Sequence, residues 1–396
     1  MRKEERLKQL NSNSKKERLT ALRELYEMHK SGEIEMPKTG INVNNHIHTT
    51  YSFSPYSPTK AVYLSWLSGL ATAGIMDHDS LAGAKEFIEA AEIINFPVTI
   101  GIECRCNLKN TQFEGKNLNS PDQKSMAYMA IHGIPHQMID EVEGFFAPYR
   151  EKRNRRNRNM INKLNEKLQP YELSLDFERD VLSLTQCHEG GSVTERHIMY
   201  ALAAALTDKE MPRQFLLGVF KSHLVESIYI DADEELLELT DFIAICDKIG
   251  AIPTYPYLGD VGMSVTGDKK TQVFEDAFLE ELLSYMKSIG VKAVTYMPAR
   301  NSNAQLSRLK ELCKTYDLFQ ICGEDINSPL QEFICEKIEA PEFMHLIDSA
   351  WALIGHEQAS KDDISKGMFS PETISRMPEL GKRVNYYANF GQSLYK

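Results

Sequence analysis

Between residues 41 and 103 the chain changes its hydrophobic period several times. A strand-like stretch (41–48) is followed by a helical one (about 59–72), a strand (73–77), a helix (81–94) and a strand (97–103). Alternation of this kind predicts a parallel sheet covered by helices, because parallel neighbours need a crossover long enough to hold one. "MAYMAIHGI", 126–134, reads as a fourth strand. The alternation resumes with a helix at 233–249, the strand "AIPTYPY", a helix at 271–289, the strand "VKAVTYMP", a helix at 303–315 and the strand "LFQICGED". In between, "FFAPYREKRNRRNRNMINKLNEKL" and "TERHIMYALAAAL" are helical with no strong strand separating them. The expected organisation is therefore a helical extension (1–38, one helix or two), a barrel first part (39–136), an α-helical insertion over the sheet (137–228), a barrel second part (229–330) and a closing helical region (331–396).

Chemistry-bearing residues fall where the expected strands end. Side chains alternate along a strand, so in "NVNNHIHTTYS" His46 and His48 share a face and can converge on one point. Asp77, His78 and Asp79 end the next strand, Glu103 the third, and Glu324, Asp325 and Asn327 the last. Sites in parallel α/β folds form at those carboxyl ends. One His-x-His is explained by solvent or a core hydrogen bond; four clusters at successive strand ends are harder to explain that way. Two carboxylates about 4 Å apart repel by roughly 4 kcal/mol at an effective dielectric of 20. If Glu103, Asp325 and an acid of the 77–79 group converge, a cation or protonation has to offset that repulsion. With imidazoles nearby, a divalent metal is the simpler solution, and manganese, iron or zinc suits mixed His and carboxylate ligands.

Composition removes other classes. No apolar run approaches the roughly 18 residues of a membrane helix. The N-terminus "MRKEERLKQLNSNSKKERL" lacks a signal-peptide core. Seven cysteines, an odd number without a C-x-x-C pair, give no disulfide framework or zinc finger, and point to a reduced, cytoplasmic protein. A net charge of −11 argues against binding long duplex nucleic acid.

The order HIHTTYS, GIMDHDSLAG, GIE and a later strand-end Asp resembles the polymerase-and-histidinol-phosphatase (PHP) superfamily, over residues 41 to about 330. The resemblance implies a distorted seven-stranded (β/α)7 barrel and a metal-dependent phosphoesterase. The inserted helices are similar to those of a branch that includes nucleoside 3′,5′-bisphosphate phosphatases and enzymes trimming 5′ nucleotides from short RNA. Where that branch carries Arg-Pro-His, this chain has Glu195-Arg196-His197. The likeness gives Arg196 and His197 a phosphate-contacting role; without it they read equally as an exposed helix start.

By the same resemblance His46, His48, Glu103 and Asp325 make one complete metal site. His78 belongs to a second, whose other ligands would be Ser54 and Asn327. The third keeps Glu103 but has Tyr128 and Tyr255 for imidazoles, unless a shift of register brings in His132. The usual Asp-x-His is Asp325-Ile326-Asn327 here, the usual His-Pro is Tyr255-Pro256, and Phe53 or Ser54 replaces an Asp or His. Tyrosine, with a reference pKa near 10, ligates a divalent ion poorly at neutral pH but donates well to a phosphate oxygen. The expectation is one firm ion. Tyr128, Arg196, His197, Tyr255 and Asn327 would contact a small phosphate ester, a nucleotide or short RNA. Metal-bound hydroxide would attack phosphorus, Arg196 would neutralise charge, and Asp77, His78 or His197 would manage protons.

Other features have two readings. The run Arg150, Lys152, Arg153, Arg155, Arg156, Arg158 is a solvated helix face or a contact for phosphates. His132 and His136 lie near a strand end, as do Tyr257, Asp260, Arg300 and Asn301; an aromatic there can stack on a base. Cys104 and Cys106 read as packing. A non-catalytic PHP-fold binding protein, or a metal-dependent hydrolase of an amide or ester, are the alternatives to the phosphoesterase.

Overall fold

The computed structural model describes residues 2–262 and 272–395. Two helices come first, α1 (Arg2–Gln9) and α2 (Lys15–Lys30), the second capped by the Ser14 hydroxyl. The barrel begins with β1 (Val43–Ile47), α3 (Pro58–Leu67), β2 (Thr72–His78), α4 (Ala84–Ile93), β3 (Val98–Asn107) and β4 (Met126–His132). The insertion contributes α5 (Ile139–Leu168), α6 (Glu195–Leu206), α7 (Glu210–His223) and α8 (Val225–Ile228). The barrel resumes with β5 (Leu237–Glu238), α9 (Leu239–Ile249), β6 (Ile252–Tyr257), α10 (Leu279–Ser288), β7 (Ala293–Tyr296), α11 (Asn303–Thr315) and β8 (Phe319–Cys322). It is followed by α12 (Met344–Ser360), α13 (Pro371–Arg376) and α14 (Leu380–Ser393). Residue 271, where a helix was expected to start, lies outside the described residues.

The strands run in the order β1-β2-β3-β4-β6-β7-β8, with β5 appended to β3. The expected all-parallel sheet needs one correction: β4 is antiparallel to both β3 and β6. The reason is the connection before it. Residues 108–125 hold no helix, so the chain returns beside β3 in the opposite sense instead of crossing over. The barrel nearly closes where Ile47 bridges Ile326 in parallel. There the His48 N–H donates to the Ile326 carbonyl (2.9 Å) and the Ile326 N–H to the His46 carbonyl (3.0 Å). This seam brings the end of β1 beside Asp325, although 277 residues separate Asn45 from its hydrogen-bond partner Cys322 across it.

Strands buried on both faces fill the barrel with Ile100, Ile102, Ile131, Tyr255 and Val294. The insertion has a core of its own, built from Met160, Leu164, Phe177, Ile198 and Leu202, which lets it stand over the barrel as a unit. No helix among the described residues is long and apolar enough to cross a membrane.

The closing helices cross at glycines. A Cβ on Gly355 of α12 would overlap the Tyr387 carbonyl of α14, and one on Gly391 would overlap the Trp351 carbonyl. Backbone meets backbone there, and neither side can turn away. Gly355→Ala is expected to destabilise the chain by about 1–3 kcal/mol, the usual cost of overpacking, read as a lower melting temperature.

Candidate metal centre

Four elements aim side chains at one point. In β1, Asn44 Oδ1 accepts the His46 N–H (3.0 Å) and its amide donates to the Glu324 carbonyl (3.1 Å), fixing the strand against the chain leaving β8. His46 Nε2 and His48 Nε2 then lie 3.2 Å apart. Asp325 Oδ1 is 3.1 Å from His48 Nε2. The β2–β3 register pairs His78 with Glu103, placing Glu103 Oε2 3.0 Å from His78 Nδ1 and 3.9 Å from His46 Nε2. His46, His48 and Glu103 offer ligand atoms within 4.8 Å of one another, and all three are buried.

The electrostatics favour a cation at this point. Burial works against charge on His48, but its bond to Asp325 and the surrounding carboxylates outweigh that and raise its pKa. Burial also opposes ionisation of Asp325, yet His48 and His46 hold its pKa well below the usual carboxylate range. His46 is pushed down by burial, against the pull of Glu103 and Asp325, and His78 far down by burial, His48 and Arg153. Burial raises Glu103. Around an ion with bonds of about 2.0–2.1 Å, tetrahedral ligand atoms stand about 3.3 Å apart. The separations of 3.1 and 3.2 Å about His48 Nε2 fit that shell.

A cavity of about 1040 Å³ opens over these groups. His46, His78, Glu103 and Asp325 form its floor, Tyr128 and Tyr257 part of its wall, and Arg196 with Lys221 and Tyr229 of the insertion its cover. Tyr128 stands 5.7 Å from the His78 ring, and burial raises its pKa, so it stays a phenol.

Other expected residues lie elsewhere. Tyr255 is fully buried in the barrel core and does not line the cavity; Tyr257, two residues on, does. Asn327 donates to Asp325 Oδ1 (2.6 Å) and so holds a floor carboxylate. The Ser54 hydroxyl accepts from the Tyr56 N–H within its own turn. Both oxygens of Asp77 are taken by Thr49 and Ser52. His197 serves in a capping box at the start of α6: its Nδ1 accepts the Thr194 N–H (3.0 Å), its ring meets Phe53 edge-on, and burial takes its pKa down to about 3.

The arginine run is not one solvated face. Arg153 and Arg156 are buried and paired with Glu195, Arg153 also with Asp79 (2.6 Å) and Arg156 also with Glu235 (2.5 Å). Arg150 donates to the Asp79 carbonyl and to Glu143. Only the outer members, such as Arg155 with Glu234 and Arg158 with Glu178, are exposed pairs. His132 is buried with its pKa down at about 3, and His136 pairs with Glu357; neither lines the cavity. Arg300 and Asn301 both donate to the Leu258 carbonyl, and Asp260 accepts from the Phe274 N–H, so they fix the rim loop. Cys104 and Cys106 pack in the core. Among the cavity residues that escaped the sequence reading are Lys221 and Tyr229, which carry no local signal, and Tyr296, whose place at the end of β7 was one.

No family model matches this chain, and no curated protein is significantly similar to it. Solved structures are. A Bifidobacterium adolescentis protein provisionally named a metal-dependent phosphoesterase is 21% identical, with a TM-score of 0.54, over 78% of this chain and 97% of its own. An amidohydrolase from Chromobacterium violaceum, with bound sulfate and no metal, is 16% identical, with a TM-score of 0.54, over 74% of this chain and 89% of its own. At these identities the likeness is one of fold.

Proposed function

We propose that this chain is a metal-dependent phosphoesterase of the PHP type acting on a small phosphate ester, a nucleotide or short oligonucleotide. Arg196 carries the reading. Half-buried, it lines the same cavity as His46, Glu103 and Asp325, and it has no ion pair or hydrogen bond among the described residues. Its neighbours Arg105, Arg153 and Arg156 are all engaged by Glu195. A free guanidinium beside an acidic floor is suited to an anion that brings its own oxygens, and its fork matches phosphate.

His46, His48, Glu103 and Asp325 would hold the ion, manganese, iron or zinc. When bound, such an ion supplies Lewis acidity toward a phosphoryl oxygen and toward the attacking water. Arg196 grips two phosphate oxygens and offsets the charge that grows as the ester bond breaks. Tyr128 donates its phenol hydrogen to a third oxygen. His78, kept neutral by burial, is a cavity imidazole whose Nδ1 lies 3.0 Å from Glu103 Oε2. The helices α6 and α7 cover the reacting groups and restrict water. Seven free thiols support a reducing, cytoplasmic setting.

The second reading, a non-catalytic binding protein on the same fold, is favoured by Asn327 and Tyr255, whose positions leave further ions without their usual donors. Metal analysis of purified protein, with phosphate release from nucleoside 3′,5′-bisphosphates and short RNA with and without manganese, separates the two. Bound metal and metal-stimulated release are expected. Arg196→Ala should then lower kcat/KM about 10²–10³-fold, as loss of one transition-state donor does, with metal content unchanged. A protein without metal, or without metal-stimulated turnover, overturns the proposal.

A further inference from the structure

Behind His48, on the side away from the cavity, lies a buried chain of three groups that the proposed reaction does not use. Asp77 precedes His78 on β2, so strand alternation turns its side chain the other way, under the end of β1. It is 1% exposed. Its Oδ1 accepts both the Thr49 N–H (2.6 Å) and the Ser52 hydroxyl (2.6 Å), and its Oδ2 accepts the Thr49 hydroxyl (2.6 Å). Ser52 Oγ is in turn 3.1 Å from His48 Nδ1.

We infer that Asp77 and Ser52 are positioning residues that lock His48 into the tautomer whose bare Nε2 faces the ion site. The inference rests on the metal-dependent reading above. A backbone N–H can only donate, so Asp77 Oδ1 is an acceptor toward Thr49, and Ser52, bonded to the same oxygen, has to donate as well. A serine hydroxyl has one hydrogen. With it aimed at Asp77, only lone pairs remain for His48 Nδ1, which must itself carry a hydrogen. Nε2 is then the nitrogen left for the ion, 3.1 Å from Asp325 Oδ1 and 3.2 Å from His46 Nε2; in the absence of an ion a hydrogen on it bonds Asp325, and that hydrogen is the one an ion displaces. The opposite tautomer, the one free histidine prefers in water, would keep its single hydrogen on Nε2 and oppose the ion. Outer partners of this kind fix ring orientation and tautomer in metal-binding histidines generally.

Two readouts test this on the full chain. Nitrogen NMR of the zinc-loaded protein reports which ring nitrogen of His48 carries hydrogen. Calorimetric titration with manganese and with zinc gives the affinity. The wild type is expected to show the Nδ1–H form. Ser52→Ala should move His48 toward Nε2–H and weaken metal binding about 10–100-fold, the range for lost outer partners, with the circular dichroism spectrum unchanged. An Nε2–H ring in the wild type overturns the inference whatever the variant does, including failure to fold. So does an unchanged affinity in Ser52→Ala while the wild type binds, and that outcome leaves the metal-dependent reading intact. A wild type that takes up neither ion overturns both.

Discussion

His46→Ala is expected to leave a folded protein that retains no ion and hydrolyses phosphate esters at least about 10³-fold more slowly. Lewis-acid stabilisation contributes several kcal/mol to a transition state, and each 1.36 kcal/mol is tenfold in rate, so losing about 4 kcal/mol gives that factor. Within the proposed ion site, His46 is the group least replaceable by a neighbour. Its Nε2 is the atom between His48 and Glu103, 3.2 Å from one and 3.9 Å from the other. Without it the remaining nitrogen and carboxylates no longer surround a point. The fold should survive, because the seam of β1 with the segment after β8 is held by backbone bonds and by Asn44 and Asn45, none of which uses the imidazole. Elemental analysis after dialysis, kcat/KM with added manganese, and the melting temperature check the three parts. Chelation of the wild type should reproduce the loss of rate, and restored manganese should reverse it. A His46→Ala protein that keeps both its metal and its turnover would move the site elsewhere.

The residues on the cavity floor were readable because each depends on local pattern. The alternation in β1 puts His46 and His48 on one side, and His78, Glu103 and Asp325 end strands that their apolar runs announce. The helix at 303–315 was legible to its ends for the same reason: Ser302 and Gln305 form a capping box, and Leu306 and Leu309 repeat on one face. Strand direction has no such signature, and the reversal of β4 was missed. The helix expected from 233 begins at 239, because Leu237 and Glu238 pair with the end of β3. The next helix starts only at Leu279; just before it, Glu275 accepts the Leu258 and Gly259 amides and Asp276 accepts the Tyr257 hydroxyl. The arginine run was the largest gap. Arg153 lies 74 residues from Asp79 and 42 from Glu195, and Arg156 lies 79 from Glu235; nothing local to the run names these partners. Asp77 and His197 escaped for the same reason: the partner, not the residue, sets the role.

Those arginine pairs predict the largest loss of stability. Arg153→Met is expected to cost about 3–5 kcal/mol, the effect of removing one partner from a buried ion pair. Arg153 is 2% exposed, bonded through Nη1 to Asp79 Oδ2 (2.6 Å) and through Nη2 to Glu195 Oε2 (2.8 Å). It therefore ties the turn after β2, one residue beyond His78, to the first residue of α6, one residue before Arg196. Methionine fills similar space, so the loss is electrostatic and not a packing defect. Asp79 loses its side-chain partner, whereas Glu195 keeps Arg156 and Arg105, which makes the turn after β2 the weaker end. The acid response should change as well. Burial opposes ionisation of Glu195, but Arg153, Arg156 and Arg105 hold its pKa well below 4.5. Its contribution is thus complete above the unfolded value near 4.5 and disappears as pH falls through the depressed folded value. With Arg153 gone that folded value rises, so the variant should begin to lose stability at a higher pH than the wild type. Urea melts from neutral to acid pH measure both effects. A variant as stable as the wild type at neutral pH would mean that Arg105 and Arg156 alone hold the insertion to the barrel, and Arg196 should then keep its place and its effect on kcat/KM.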